Sequence, residues 1–421
     1  MAGRASGRRG AGLGSGFRAQ LASTGLANLA DGVFGTLAPL AALTLTSSPA
    51  QVSLLTAAGW VPWLVLGLAA GVVIDRTDRR RVQVLALGVR AAVLAAAAVL
   101  SLTGRLSMPA LLAIALIYGV TEVFADLGAT AIVPDLVPAD RLPAANGRLL
   151  GVQQVANTFL GSPLAGALIV VGAGAGFGTS AALAALAALT LAVGLRGRFR
   201  PTPRTTSHPL AEVREGLAFV VRHPVIRPLV IAAGLINLAN TGYFAVFVLW
   251  AVGPDSAMGL TPALFPLLTL GLAVGAVAGS LLTDRLQRRF GELRTMIAAL
   301  TAGELLMLVP VLWPNGWAVA VAFALVGLTG TTGNVLTQSL RQRLVPRGLL
   351  GRVGGAGRTL SYGLMPIGAV LGGLIAERFG LATTFYAAVV VGLAACGLLA
   401  LALPNVVIQP ADAPAAESAT V

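Results

Sequence analysis

Five ionisable side chains stand inside otherwise apolar runs: Asp31, Arg90, Glu122, Asp126 and Glu304. An ionisable group in hydrocarbon costs on the order of 3 kcal/mol or more, so each is a candidate for function. Glu122 and Asp126 are four residues apart and share one face of a helix. Two carboxylates that close in a low dielectric do not both ionise readily, so one of them is expected to hold a proton near neutral pH. That is the chemistry of taking up and releasing protons, and Asp31, Glu122, Asp126 and Arg90 are the candidates for it. The alternative for each acid is a structural ion pair, with Arg90 as counter-ion to Glu122 or Asp126. Glu304 is left unassigned. Amides and hydroxyls recur at helical spacing: Asn28 beside Asp31, then Asn237, Asn240 and Tyr243, then Thr331, Asn334 and Gln338. Gln153, Gln154, Asn157 and Thr158 form a further polar patch. Such stripes line a cavity for a small molecule, or they bond one helix to the next at about 0.6 kcal/mol per contact.

The elements that must position these groups are spans. Of 421 residues, 56% are hydrophobic and 11% charged, with a mean hydropathy of +0.85. Soluble domains carry about 25% charged residues, so an ordinary soluble enzyme, a disordered chain and a small secreted scaffold are excluded. Apolar runs fall at roughly 20–45, 51–74, 82–103, 108–133, 147–171, 178–195, 228–252, 262–283, 295–313, 316–339, 353–376 and 381–403. Each is long enough for a helical span of about 20 residues, and too long and uniform for barrel strands. The expected fold class is an all-α membrane protein with twelve transmembrane helices. Residues 20–195 and 228–403 make two six-helix halves, joined by a polar stretch at 196–227. Within that stretch, Leu210, Val213, Leu217 and Val220 predict an amphipathic helix on the membrane surface from Pro209 to Arg222. The Gly/Ala/Arg-rich residues 1–19 and the tail 404–421 are expected to be disordered cytoplasmic segments.

All 29 basic residues are Arg. They cluster in alternate connections, at 76–81, 141–148, 196–227, 285–294 and 341–358, while Arg105 and Arg378 alone fall in the opposite ones. The positive-inside rule then puts the clusters and both termini in the cytoplasm, in a plasma (inner) membrane. The net charge of +13 needs no nucleic acid to explain it. A single cysteine, Cys396, and two histidines, His208 and His223, in one connection argue against a metal site. No glycine-rich phosphate loop followed by Lys is present. The expected partners are the bilayer, a small molecule and protons, with no cofactor, no enzyme activity and a monomeric state.

The two halves repeat. Gly-Leu-Ala-Asn28-Leu-Ala-Asp31 recurs as Gly-Leu-Ile-Asn237-Leu-Ala-Asn240, an offset of 209. Asp75-Arg76-x-x-Arg79-Arg80 recurs as Asp284-Arg285-x-x-Arg288-Arg289, again 209, and Leu136-Val137-Pro138 recurs as Leu344-Val345-Pro346 at 208. An even number of spans per copy makes the repeat parallel, with a site expected near the midplane between the halves. Asn240 and Asn334 stand where the first copy has Asp31 and Asp126. Amides bind but do not titrate, so proton coupling is expected in the N-terminal half. One buried Arg against several acids also favours a neutral or cationic substrate.

The pattern Gly71-x-x-x-Asp75-Arg76-x-x-Arg79-Arg80-Arg81 resembles the best-known signature of the major facilitator superfamily. Pro62-Trp63, Glu215-Gly216-Leu217-x-Phe219, His223-Pro224 and Ser339-Leu340-Arg341-Gln342 resemble its enterobactin-exporter and macrolide-efflux-like branch. Asp78 stands where the broad signature has Gly, Pro163-x-x-Gly166 is a reduced form of an exporter element in the fifth span, and Glu122 occupies the span where many relatives carry an Arg. The resemblance implies a secondary exporter of a drug, natural product or siderophore-like molecule, coupled to protons by antiport and working by alternating access. An uncoupled facilitator or importer of the same fold is the alternative. The resemblance further implies that spans 1, 4, 7 and 10 line the cavity. It also implies that Asp75, Arg76, Arg79 and Arg80, with Asp284, Arg285, Arg288 and Arg289, form a conformational latch.

Overall fold

A computed structural model describes residues 14–200, 209–346 and 349–403. Among these residues the chain is helical, apart from one isolated bridge between Val252 and Leu260. The helices of the first half are α1 (Ser15–Ala42), α2 (Pro49–Arg76), α3 (Arg79–Leu102), α4 (Met108–Ala131), α5 (Val133–Leu136), α6 (Leu142–Gln154), α7 (Ser162–Val171) and α8 (Ala173–Gly194). Those that follow are α9 (Pro209–Arg222), α10 (Ile226–Ala251), α11 (Phe265–Phe290), α12 (Glu292–Leu306), α13 (Val309–Leu312), α14 (Gly316–Leu344), α15 (Leu350–Gly363), α16 (Met365–Phe379) and α17 (Leu381–Ala402). A π-helical turn, Val155–Gly161, joins α6 to α7.

Counting α6–α7, α12–α13 and α15–α16 as one span each gives six spans before α9 and six after it. Among the described residues, eleven are long and apolar enough to cross a membrane by length and composition. The twelfth, α1, has 28 residues, and its hydropathy is held down by Asn28 and Asp31. The expected fold class is therefore present, and the protein is a multi-pass membrane protein. Helix α1 starts at Ser15, inside the stretch expected to be a disordered arm, because Phe17 is buried against Val133 and Leu149. The rest of that arm (1–13), the tail 404–421 and His208 lie outside the described residues.

Local sequence explains where the spans begin. Ser48, Ser107 and Asn315 accept from backbone N–H groups of the first turns of α2, α4 and α14, and Pro49 and Pro109 occupy early helical positions. Asp78 does the same for α3, accepting from the N–H groups of Arg80 and Arg81. This is why an acid serves where the broad signature has Gly. At the start of α10, His223 Nδ1 accepts from Val225 and Ile226 N–H, both at 3.2 Å, and burial pushes its pKa below the usual imidazole value.

Packing relies on small residues, as expected where lipid supplies no hydrophobic drive between helices. A Cβ on Gly275 would lie 1.7 Å from the Ala324 carbonyl oxygen, and one on Gly368 would lie 2.1 Å from that of Leu238. Backbones of α11 and α14, and of α10 and α16, therefore cross almost in contact. Large apolar side chains such as Leu85, Leu281 and Leu401 stay exposed around the outside, where acyl chains replace water. The amphipathic segment is helical, and α9 packs on α15: Glu215 pairs with Arg352, and a Cβ on Gly216 would lie 2.5 Å from the Arg352 carbonyl oxygen. The membrane-facing side chains expected at Leu210 and Val213 lie outside the described ones.

The two halves meet at the end away from the arginine clusters. Glu377 accepts from Ser48 Oγ at 2.8 Å and from Ala50 N–H at 3.2 Å, and a Cβ on Gly373 would lie 1.8 Å from Ser53 Oγ. Ser162 Oγ lies 2.7 Å from Thr36 Oγ1 and 3.3 Å from Thr269 Oγ1. Gly161 rests on Gly32, and Gly166 on Ala263 and Pro266. The reduced Pro163-x-x-Gly166 element is thus a contact between spans and between halves. At the arginine-rich end, Arg79–Asp135 stays within one half and Arg343–Glu292 within the other.

Candidate functional site

A cavity of about 700 Å³ lies between the halves, lined among others by Asp31, Trp60, Asn157, Asn240, Thr331 and Asn334. Below it, α1, α3, α4 and the fifth span converge on a pocket of about 70 Å³ that holds Asp31, Arg90, Glu122, Asp126 and Asn28. Arg90 is 1% exposed. Its Nη1 donates to Asp31 Oδ1, its Nε donates to Thr121 Oγ1 at 3.2 Å, and its guanidinium lies 4.5 Å from the Tyr118 ring centre. The Tyr118 hydroxyl donates to the same Asp31 oxygen. Phe34 stacks on Tyr118 at 4.2 Å and walls the pair off.

Arg90 therefore neutralises Asp31, not Glu122 or Asp126 as adjacency of spans 3 and 4 suggested. The reason is rotational: Thr121 faces Arg90, and the next residue along a helix points about 100° away. Glu122 forms no hydrogen bond or ion pair among the described residues, and Asp126 accepts only from Gln153 Nε2, at 3.1 Å. The candidate acids thus divide into one that is paired and two that are not.

The second half has its own cavity of about 590 Å³, reaching Asn237, Asn240, Asn334, Gln338 and Glu304. Asn237 donates to the Ser361 carbonyl oxygen at 3.3 Å. Tyr243 is not on this wall. It is fully buried among Phe244, Phe247 and Phe385, and donates to the Met307 carbonyl oxygen at 3.1 Å. A three-residue step falls about 60° short of a full turn, so two steps carry position 243 away from the face that holds Asn237. Missed by the sequence reading were Arg341 and Arg358, which line this cavity, and Arg341 donates to Gln338. Near a span end they counted only towards orientation. With Arg90 beside Asp31, Glu122 and Asp126 in the first half and Arg341 and Arg358 beside Glu304 in the second, the arginines nearly balance the acids, and the charge excess that favoured a cationic substrate shrinks.

At the signature loop, Arg79 lies 3.8 Å from Asp75 and 2.9 Å from Asp135. Arg80 donates to the carbonyl oxygens of Leu191 and Ala192, at the C-terminal end of α8 rather than of α2. Asp75 is 73% exposed, and Arg76 is exposed. In the second copy Asp284, Arg285 and Arg288 have no partner among the described residues, and Arg289 stacks on Phe290 at 5.4 Å.

A helical fold in two parallel halves around a central cavity, with this loop after the second span, is that of a membrane transporter. The chain belongs to the Major Facilitator Superfamily, whose family profile matches residues 21–369 and 259–420. It is 28% identical to the enterobactin exporter EntS of Escherichia coli O1:K1 / APEC over 366 residues, 85% of each chain. Among solved structures it is similar to the nucleoside transporter NupG, with a TM-score of 0.74 and 13% identity over 91% of this chain and 100% of that one. It is also similar to a bacterial homologue of the iron transporter ferroportin in an inward-facing state, with a TM-score of 0.72 and 16% identity over 92% and 98%.

Proposed function

We propose that the protein is a secondary exporter of a small, siderophore-like organic molecule, coupled to protons by antiport and acting as a monomer in the inner membrane. The observation that carries this reading is the pocket beside the cavity, where Glu122 and Asp126 stand without a basic partner while Arg90 is committed to Asp31. Unpaired carboxylates there can exchange protons with the cavity as it opens to one side and then the other. The direction of transport is supported by the similarity to an enterobactin exporter. With the arginine-rich end cytoplasmic, the cavity lined by Arg341 and Arg358 would lie on the inward side, where a cellular molecule would load.

The test uses everted membrane vesicles with an acidified lumen, carrying the wild type or Asp126→Asn. A panel of catecholate siderophores, antibiotics and dyes is added, and collapse of the pH gradient is followed. A compound that collapses the gradient only with the wild type is the expected result. Equal movement of a labelled compound in both vesicles without proton flux would favour the uncoupled facilitator instead.

The signature loop acts in this reading as a latch on the state closed at the arginine-rich end. In the present state the Asp75 carboxylate is exposed, and exposed ion pairs contribute little. Asp75→Ala is therefore expected to insert and melt like the wild type yet lose most of its transport. Normal transport rates in this variant would remove the latch role.

A further inference from the structure

We propose that Glu304 is a second proton-binding site, carried by the C-terminal half; its use in transport rests on the proton-coupled reading above. Glu304 sits near the end of α12, just before the chain breaks into α13, and is 5% exposed. Its Oε1 accepts one long hydrogen bond, 3.5 Å from Asn240 Nδ2. Its Oε2 is buried with no partner among the described residues. On α17 the carboxyl presses on a glycine, where a Cβ at Gly392 would lie 2.1 Å from Oε2.

The groups around it supply no countercharge. From α10 come Asn240 and the hydroxyl of Tyr243, which is bonded to the Met307 carbonyl oxygen; from α17 comes Cys396; from α14 comes Thr329, against Gly303. Arg341 and Arg358 line the same cavity, but neither is within ion-pair distance. A buried carboxylate with an orphan oxygen and no cation cannot stay charged cheaply. It takes a proton, and the cavity it lines gives that proton a route to water. The repeat sharpens the point. Asn240 occupies the place of Asp31, and the same offset of 209 puts Ala299, not an arginine, where the third span has Arg90. The first half holds an internally neutral pair; the second holds a lone acid whose neutrality must come from solution.

The test is infrared difference spectroscopy on the purified full-length protein, titrated through neutral pH in light and heavy water, without substrate. The wild type is expected to show a protonated-carboxyl C=O band that Glu304→Gln loses. Asn240→Ala removes the one hydrogen bond to that carboxyl, so it is expected to shift the same band and raise the pH at which it disappears; this identifies the band even if Glu304→Gln does not fold. Spectra identical in wild type and both variants would overturn the proposal. So would a band abolished by sodium at constant pH, which would make this a metal-cation site. Because no substrate is added, failure here leaves the exporter reading to its own vesicle assay.

Discussion

Arg90→Leu is expected to destabilise the protein by about 3–5 kcal/mol, the scale on which removing one partner of a buried ion pair acts. The guanidinium is 1% exposed and joins three elements: Asp31 on α1, Thr121 on α4, and its own α3, with its charge over the Tyr118 ring. Without it, the partly buried Asp31 carboxylate keeps only the Tyr118 hydroxyl and is left as an uncompensated charge. The check is thermal denaturation of the purified variant in detergent, where a loss of that size lowers the Tm by roughly 5 °C. Two further measurements separate charge from packing. Acidification should recover part of the loss, because a protonated Asp31 carries no charge to strand. The double variant Asp31→Leu, Arg90→Leu should be more stable than Arg90→Leu alone, since apolar replacement of a whole buried pair is often neutral or better. A melting temperature unchanged in Arg90→Leu would mean that the pair contributes nothing to the fold.

The spans, their number and the repeat were legible in the sequence because a membrane imposes length and apolarity on each helix separately. Partner choice was not, because it depends on rotation about helix axes. Arg90 lies in the span next to Glu122 and Asp126, yet its side chain reaches Asp31, and Thr121 rather than Glu122 turns towards it. Tyr243 fails for the same reason: a row of residues three apart drifts around the helix, and the aromatic end of the row falls into the core with Phe247 and Phe385. Arg341 and Arg358 show a different limit. An arginine near the end of a span satisfies the orientation rule whether it faces lipid headgroups or a cavity, so its second role needs coordinates. Glu304 had no counterpart in the repeat to interpret it, and its place on the cavity wall beside Asn240 needs coordinates.

Glu122→Gln is expected to leave the fold and substrate binding intact and to lower pH-driven transport roughly a hundredfold or more, the scale on which a positioned proton-transfer group acts. The substitution is isosteric with the protonated acid. No hydrogen bond or ion pair to Glu122 is lost among the described residues, so the melting temperature should stay near that of the wild type. What disappears is the ability to empty. Glu122 shares its pocket with Asp31 and Asp126; its charged form adds a negative charge beside two other acids, and its neutral form relieves that repulsion. A glutamine holds this position neutral throughout the cycle. Exchange of labelled for unlabelled substrate across the membrane, which needs no net proton movement, should continue in Glu122→Gln and lose its dependence on pH. The discriminating experiment measures uphill transport and exchange in the same vesicles. Loss of the first with retention of the second assigns the proton to Glu122. Uphill transport at the wild-type rate would move the assignment to Asp126, where Gln153 already holds the carboxyl in place.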